Sequence, residues 1–192
     1  DPLMPQTADF VVMESTYGNR LHKPQKESIG ELVEAIKATF KKGGNVFIPS
    51  FAIGRTQDLL YILNNLVREG RIYKIDVYLD SPLAEDATRV YLAHPECFDE
   101  EAKRLFSTKS GNNSIRLHFV QTARDSMALN KIRSGIIVIA GSGMCEGGRM
   151  RHHLKHNLWR PECSVIFVGF QGKGTLGRRI VDRAETVNIL GE

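Results

Sequence analysis

Residues 135–154, GIIVIAGSGMCEGGRMRHHL, join a β-branched apolar run to a turn with four glycines and then to a basic segment of helical character. An apolar run this short that stops abruptly at glycine has the pattern of a buried parallel strand feeding a helix. Glycine lets backbone N–H groups approach an anion closely, and the N-terminus of the following helix adds partial positive charge. The loop is therefore a candidate phosphate site. The same glycines also serve an ordinary strand-to-helix turn, so this stretch alone leaves both readings open.

The same grammar recurs on either side. Short apolar runs at 9–13, 45–48, 75–79, 116–120, 136–140 and 164–168 predict strands, with a closing strand at 186–190. Between them, apolar residues at helical spacing predict helices over 25–42, 56–67, 83–93 and 99–106, then helices reaching Arg133, spanning 149–160 and running through Asp182. Residues 107–114, STKSGNNS, read as an exposed loop rather than a domain boundary. Alternating strands and helices predict an α/β fold of three layers: a mostly parallel, Rossmann-like sheet of about six strands flanked by helices. The loops after the strands then gather on one edge.

Composition bounds the function without naming it. The 192 residues are 42% hydrophobic and 25% charged, ordinary for one globular α/β domain, and no apolar run approaches the length of a membrane span. A formal charge of +4 leans toward a phosphate-rich partner. Cys97, Cys145 and Cys163 are odd in number and include no C-x-x-C pair, so a reduced, cytoplasmic setting is expected, with no secretion signal at the start. The chain does not begin with Met and stops just after an apolar stretch, and it reads as a piece of a longer protein.

Several polar residues fall where strands give way to loops. Glu14 follows the first run, as an orienting acid or base or as a solvated loop acid. Ser50 and Arg55 bracket the second loop; the arginine suits bidentate phosphate recognition or a structural ion pair. Asp80 and Ser81 precede Pro82, where at least one of them is expected to cap the next helix. Beyond the glycine loop, Arg149, Arg151, His152, His153, Lys155, His156 and Arg160 make a strongly basic face, either solvated or lining a groove. Three motifs fail. Gly141-Ser142-Gly143 carries Glu146 where a dinucleotide fingerprint needs its third glycine, Gly174 is followed by Thr175 where a P-loop needs lysine, and His152 and His156, though four apart, lack the glutamate of H-E-x-x-H and an evident third ligand.

Read together, Glu14-Ser15-Thr16-Tyr17-Gly18, residues 49–55 (PSFAIGR), Asp80-Ser81-Pro82, residues 141–149 and residues 169–177 resemble, in order and over nearly the whole chain, the β-CASP branch of the metallo-β-lactamase-fold nucleases. That family includes RNase J and the endonuclease subunit of the cleavage and polyadenylation specificity factor. The wording GSGMCEGGR is closest to bacterial and archaeal relatives of the latter. The resemblance implies an RNA phosphodiesterase using two zinc ions, with Glu14 as the motif A acid that holds a histidine near the metals. Residues 1–19 would then belong to the metallo-β-lactamase domain and 20–192 to the β-CASP domain. The H-x-H-x-D-H motif and the later histidine motifs are expected outside these 192 residues. The resemblance further implies that Ser50, Arg55, Ser81, Ser142, Gly143, Gly147, Gly148, Arg149, Gln171, Lys173 and Thr175 contact RNA phosphates. The expected partners are RNA, the rest of the metallo-β-lactamase domain and a second copy of the protein, with no membrane. Two alternatives stand beside this: a doubly wound nucleotide or small-molecule domain, and a purely structural insert that gates the cleft.

Overall fold

Ile29, Leu32, Val33, Ile36 and Phe40 recur at helical spacing and turn one face of α1 (Gln25–Lys41) toward the core. The helix ends at Lys42 and Gly43, whose φ of +75° suits glycine. At Gly44 a Cβ would sit 1.9 Å from the Glu162 carbonyl oxygen, so glycine is required for the chain to enter the sheet there. The computed structural model describes residues 3, 5–100, 102–103 and 114–192. After α1 come β1 (Val46–Pro49), α2 (Arg55–Arg68), β2 (Asp76–Asp80), α3 (Pro82–Ala93), a 3-10 turn (Pro95–Cys97), β3 (Arg116–Phe119), α4 (Ala123–Leu129), β4 (Ile136–Ala140), α5 (Gly148–Asn157), β5 (Ser164–Val165) and α6 (Leu176–Val181).

The strands form one parallel sheet in the order β3-β2-β4-β1-β5. From β1 through β2 to β3 the chain steps one way across the sheet, and from β3 through β4 to β5 it steps back. Right-handed crossovers in opposite directions put their helices on opposite faces. The packing agrees. Leu59, Leu63 and Leu66 of α2 and Ala84 of α3 pack with Val46, Ile48, Val77, Leu79, Ile137 and Ile139. Leu129 of α4, Met150 and Leu154 of α5 and Leu176 of α6 pack with Phe47, Ile136, Val138 and Ala140 on the other side. Strand β4, buried at every residue, is the centre of both cores, as its two-sided apolar run requires. Each fully buried leucine or isoleucine in these layers contributes about 1.5–3 kcal/mol.

This winding positions the site. Pro49, Asp80 and Ala140 are in register across β1, β4 and β2, and the Val120 N–H bonds the Leu79 carbonyl at 3.0 Å, so the loops leave along one edge. Neighbouring strands send their loops to opposite faces, which opens a crevice between β1 and β4.

Two expected strands do not form. Residues 9–13 run without strand pairing, with Phe10 91% and Val12 97% exposed, because no sheet edge lies beside them among the described residues. Residues 186–190 instead lie as coil: Ile189 buries its side chain in the core and a turn to Glu192 follows, so the segment packs without a ladder. The sheet accordingly has five strands. Strand β5 pairs over only two residues before Ile166 bonds the Phe47 carbonyl at 2.9 Å. Within the helix expected over 99–106, Asp99 Oδ1 accepts the Ala102 N–H at 2.8 Å. Residues 101 and 104–113, which hold the rest of that helix and nearly all of the loop expected over 107–114, lie outside the described residues.

Candidate nucleic-acid interface

Five helices follow a strand, and their first turns differ in one respect. Ser81 Oγ accepts the Ala84 N–H at the start of α3, Thr122 Oγ1 accepts the Asp125 N–H at α4, and Thr175 Oγ1 accepts the Arg178 N–H at α6. Helices α2 and α5 have Gly54 and Gly147 at the cap position, with no side chain to satisfy the first turn. A helix start left this way keeps partial positive charge available, while backbone carbonyls take one donor of each: Ile53 accepts the Arg55 N–H at 3.1 Å and Gly141 the Met150 N–H at 2.8 Å. These two helices belong to the neighbouring strands β1 and β4, whose loops meet at a cavity of about 440 Å³. Ser50, Phe51, Gly54, Arg55, Gly143, Met144 and Gly169 are among its lining. The backbone N–H groups of Phe51, Gly143 and Met144 have no acceptor among the described residues. Arg55 stands half exposed at the rim with one loose partner, Asp58 at 3.5 Å. These N–H groups, the start of α2 and an arginine give the cavity the donors and positive charge that suit an anion.

The glycine loop is held in shape from behind. Gly148 has φ +64°, and a Cβ there would lie 2.5 Å from the Gly141 carbonyl oxygen, so the turn into α5 closes only with glycine. Ser142 Oγ accepts the Gly147 N–H at 3.2 Å. The loop after β5 is stitched to it: Gln171 Nε2 donates to the Gly143 carbonyl at 2.9 Å, Gly177 N–H to the Met144 carbonyl at 3.0 Å, and Leu176 N–H to Glu146 Oε1. Burial pushes the Cys145 thiol up to about 12, so it stays protonated near neutrality and is no nucleophile.

The carboxyl ends of β2 and β3 are built differently. Asp80, fully buried, accepts from Arg149 Nη1 at 2.6 Å and Ser126 Oγ at 2.5 Å, and lies 2.6 Å from His153 Nε2. Arg149 also donates to the carbonyls of Val120 at 2.7 Å and Gln121 at 2.6 Å. Burial raises the Asp80 pKa, but the bonds from His153, Ser126 and Arg149 outweigh it and hold the carboxyl below its ordinary value. His153 continues to Asn130 Oδ1 at 3.1 Å and stacks on Phe47 with ring centres 6.0 Å apart.

The structure thus brings Ser50, Arg55 and Gly143 to one cavity, whereas Gly147 and Gly148, at the start of α5, are not among its lining residues. The Ser50 hydroxyl is already engaged, donating to the Phe51 carbonyl at 3.2 Å and accepting from Thr56 at 3.1 Å. Ser81 and Thr175 cap their own helices, Gln171 is buried in the loop seam, and Arg149 is an internal strut. Lys173 is exposed on the loop after β5. Glu14 is exposed, accepting the Thr16 N–H at 2.9 Å, just before two residues that line the cavity, Thr16 and Tyr17. Much of the basic segment turns inward or pairs: His153 and Arg160 are buried, and Lys155 meets Glu192 at 2.8 Å. Sequence reasoning missed Phe51 and Ile53 as lining residues. Apolar side chains in a loop, here 52% and 62% exposed, are the signal that would have found them.

Comparison with known proteins matches the sequence to a family. The Beta-Casp domain matches residues 56–180. Over 195 residues the chain is 41% identical to Ribonuclease TTHA0252 of Thermus thermophilus, covering all of this chain and 44% of that protein. It is 36% identical over 188 residues to Transcription termination factor FttA of Thermococcus kodakarensis, covering 96% of this chain and 29% of that one. It is 34% identical over 181 residues to the RNase J-like protein of Methanocaldococcus jannaschii, covering 93% and 41%. The chain therefore spans less than half the length of each of these relatives. From a match across most of its length, and a sheet wound as its sequence pattern requires, the chain belongs to the Beta-Casp domain family.

Proposed function

We propose that this chain is the β-CASP part of a zinc-dependent ribonuclease and forms the wall along which the RNA backbone lies. The observation that carries this is a cavity lined by the glycine-capped start of α2, by Phe51, Gly143 and Met144, whose N–H groups have no acceptor among the described residues, and by Arg55 at the rim. Such a cradle recognises phosphate oxygens. It positions a strand without reading its bases, so little sequence preference resides in it. Relatives named as a ribonuclease and as an RNase J-like protein support the same reading.

Nucleases of this family generally use metal ions; zinc is the ion proposed here. The residues of this chain do not fit a metal site by themselves: among the described residues, no group of three or more His, Cys, Asp or Glu is arranged to hold an ion. The ligands are assigned to the metallo-β-lactamase domain, to which residues 1–19 are proposed to belong. Glu14 is the orienting acid in that scheme. A second copy of the protein and a cytoplasmic setting complete the proposal; among the described residues no helix is long and apolar enough to cross a membrane.

Titration of labelled single-stranded RNA with the intact protein at several salt concentrations tests this. Affinity is expected to fall steeply as salt rises, because bound phosphates release counterions. Saturable mononucleotide binding without RNA binding would favour a small-molecule domain. RNA affinity and turnover both unchanged in Arg55→Ala would leave a gating insert.

A further inference from the structure

The cavity has a second wall that phosphate does not explain. Tyr17 and Phe170, distant in sequence, both line it, with ring centres 6.0 Å apart in an edge-to-face arrangement. Arg20 Nη2 donates to the Thr16 carbonyl at 3.4 Å, and its guanidinium carbon lies 5.4 Å from the Tyr17 ring centre and 5.5 Å from that of Phe170. His22 packs on Tyr17 at 4.2 Å. Phe51, half exposed, lines the same cavity beside the N–H groups of the cradle. A site for phosphate alone has no use for three aromatic rings and a cation held over two of them.

We propose that the Tyr17–Phe170 wall, with Arg20 over it, is a stacking subsite for one nucleobase of single-stranded RNA. This rests on the backbone-binding reading above and extends it from phosphate to base. Every nucleobase offers a π-face, so aromatic stacking tolerates any sequence while requiring an unpaired strand. A guanidinium clamped over aromatic rings adds cation–π attraction and a planar surface of its own. A cavity of about 440 Å³ has room for a base beside its phosphate. The consequence is selection for single strands: a base locked in a duplex cannot reach these rings.

The test uses the intact protein with divalent ions chelated and two labelled ligands: a short oligouridylate, and the same ribose-phosphate backbone without bases. Wild type is expected to bind the base-bearing strand about tenfold more tightly than the abasic one. Combined Tyr17→Leu and Phe170→Leu substitution should remove that advantage while leaving affinity for the abasic strand unchanged, and Tyr17→Trp should preserve it. If the double variant melts early, Tyr17→Leu alone, in a loop, gives the same comparison. Equal binding of the two strands by wild type, or equal losses on both in the leucine variant, overturns the stacking subsite. When Arg55→Ala still weakens both strands in those cases, the backbone reading survives without it. Failure of the wild type to bind either strand overturns both.

Discussion

The carboxyl ends of β2 and β3 and those of β1 and β4 are the same kind of place, and they are finished in opposite ways. At β2 and β3 each polar group is answered from within: Ser81 and Thr122 cap the helices that follow, and Asp80 is held by Arg149, Ser126 and His153. At β1 and β4 the helix starts fall on glycines, the N–H groups of Phe51, Gly143 and Met144 have no acceptor among the described residues, and a cavity opens between the loops. The first arrangement rigidifies the edge of the sheet. The second leaves interaction capacity for something that is not part of the chain.

On that contrast, substitutions on the closed side should act on stability and those on the open side on binding. The largest stability effect is expected at Asp80. Asp80→Asn removes the carboxylate charge facing Arg149 and His153 in a buried site, at a cost of about 3 kcal/mol or more. Thermal melting should fall by about 10 °C; a drop of under about 2 °C would mean the network contributes nothing.

Gly148→Ala comes next. It places a side chain at positive φ and against the Gly141 carbonyl, costing about 2 kcal/mol, and because that residue shapes the cradle it should weaken RNA binding as well. Loss of stability with unchanged RNA affinity would separate the loop from the ligand.

A smaller effect appears only in acid. The hydrogen bonds of Arg116, followed by that of His118, lower the Asp76 carboxyl to about 2 against the desolvation it suffers. A carboxylate pKa depressed in the folded state stabilises fully above its unfolded value, and that contribution is lost as pH falls from about 4 toward 2. Asp76→Asn should flatten this limb of the stability profile and leave RNA binding alone. Ser81→Ala should cost about 1 kcal/mol through loss of its cap, read as a small shift in melting temperature with RNA affinity unchanged.

The sheet was legible because its centre is extreme: residues 136–140 are apolar on both faces, and α2 carries an unbroken apolar stripe. The segments at 9–13 and 186–190 are apolar at most positions, yet a strand needs a partner edge, which composition does not reveal. The site was legible as a set of loops but not residue by residue. Serine, threonine, glutamine and arginine use the same atoms to satisfy their own backbone as to hold a phosphate. Ser81, Thr175, Gln171 and Arg149 do the former here. Arg149 meets Asp80 across 69 residues of sequence, a contact that no local pattern displays. One signal in the sequence separates the two kinds of loop: a helix whose cap position is glycine has no cap side chain for its first turn. Gly54 and Gly147 are written plainly in the chain.

The most direct measurement compares the salt dependence of RNA affinity in the wild type, in Arg55→Ala and in Ser81→Ala. Arg55 pairs with Asp58 only at the exposed surface, so its loss should leave stability within about 0.5 kcal/mol. Loss of one phosphate contact should reduce the slope of log affinity against log salt by about one in Arg55→Ala, with the Ser81→Ala slope matching the wild type. Identical slopes in all three proteins would contradict a phosphate cradle between β1 and β4.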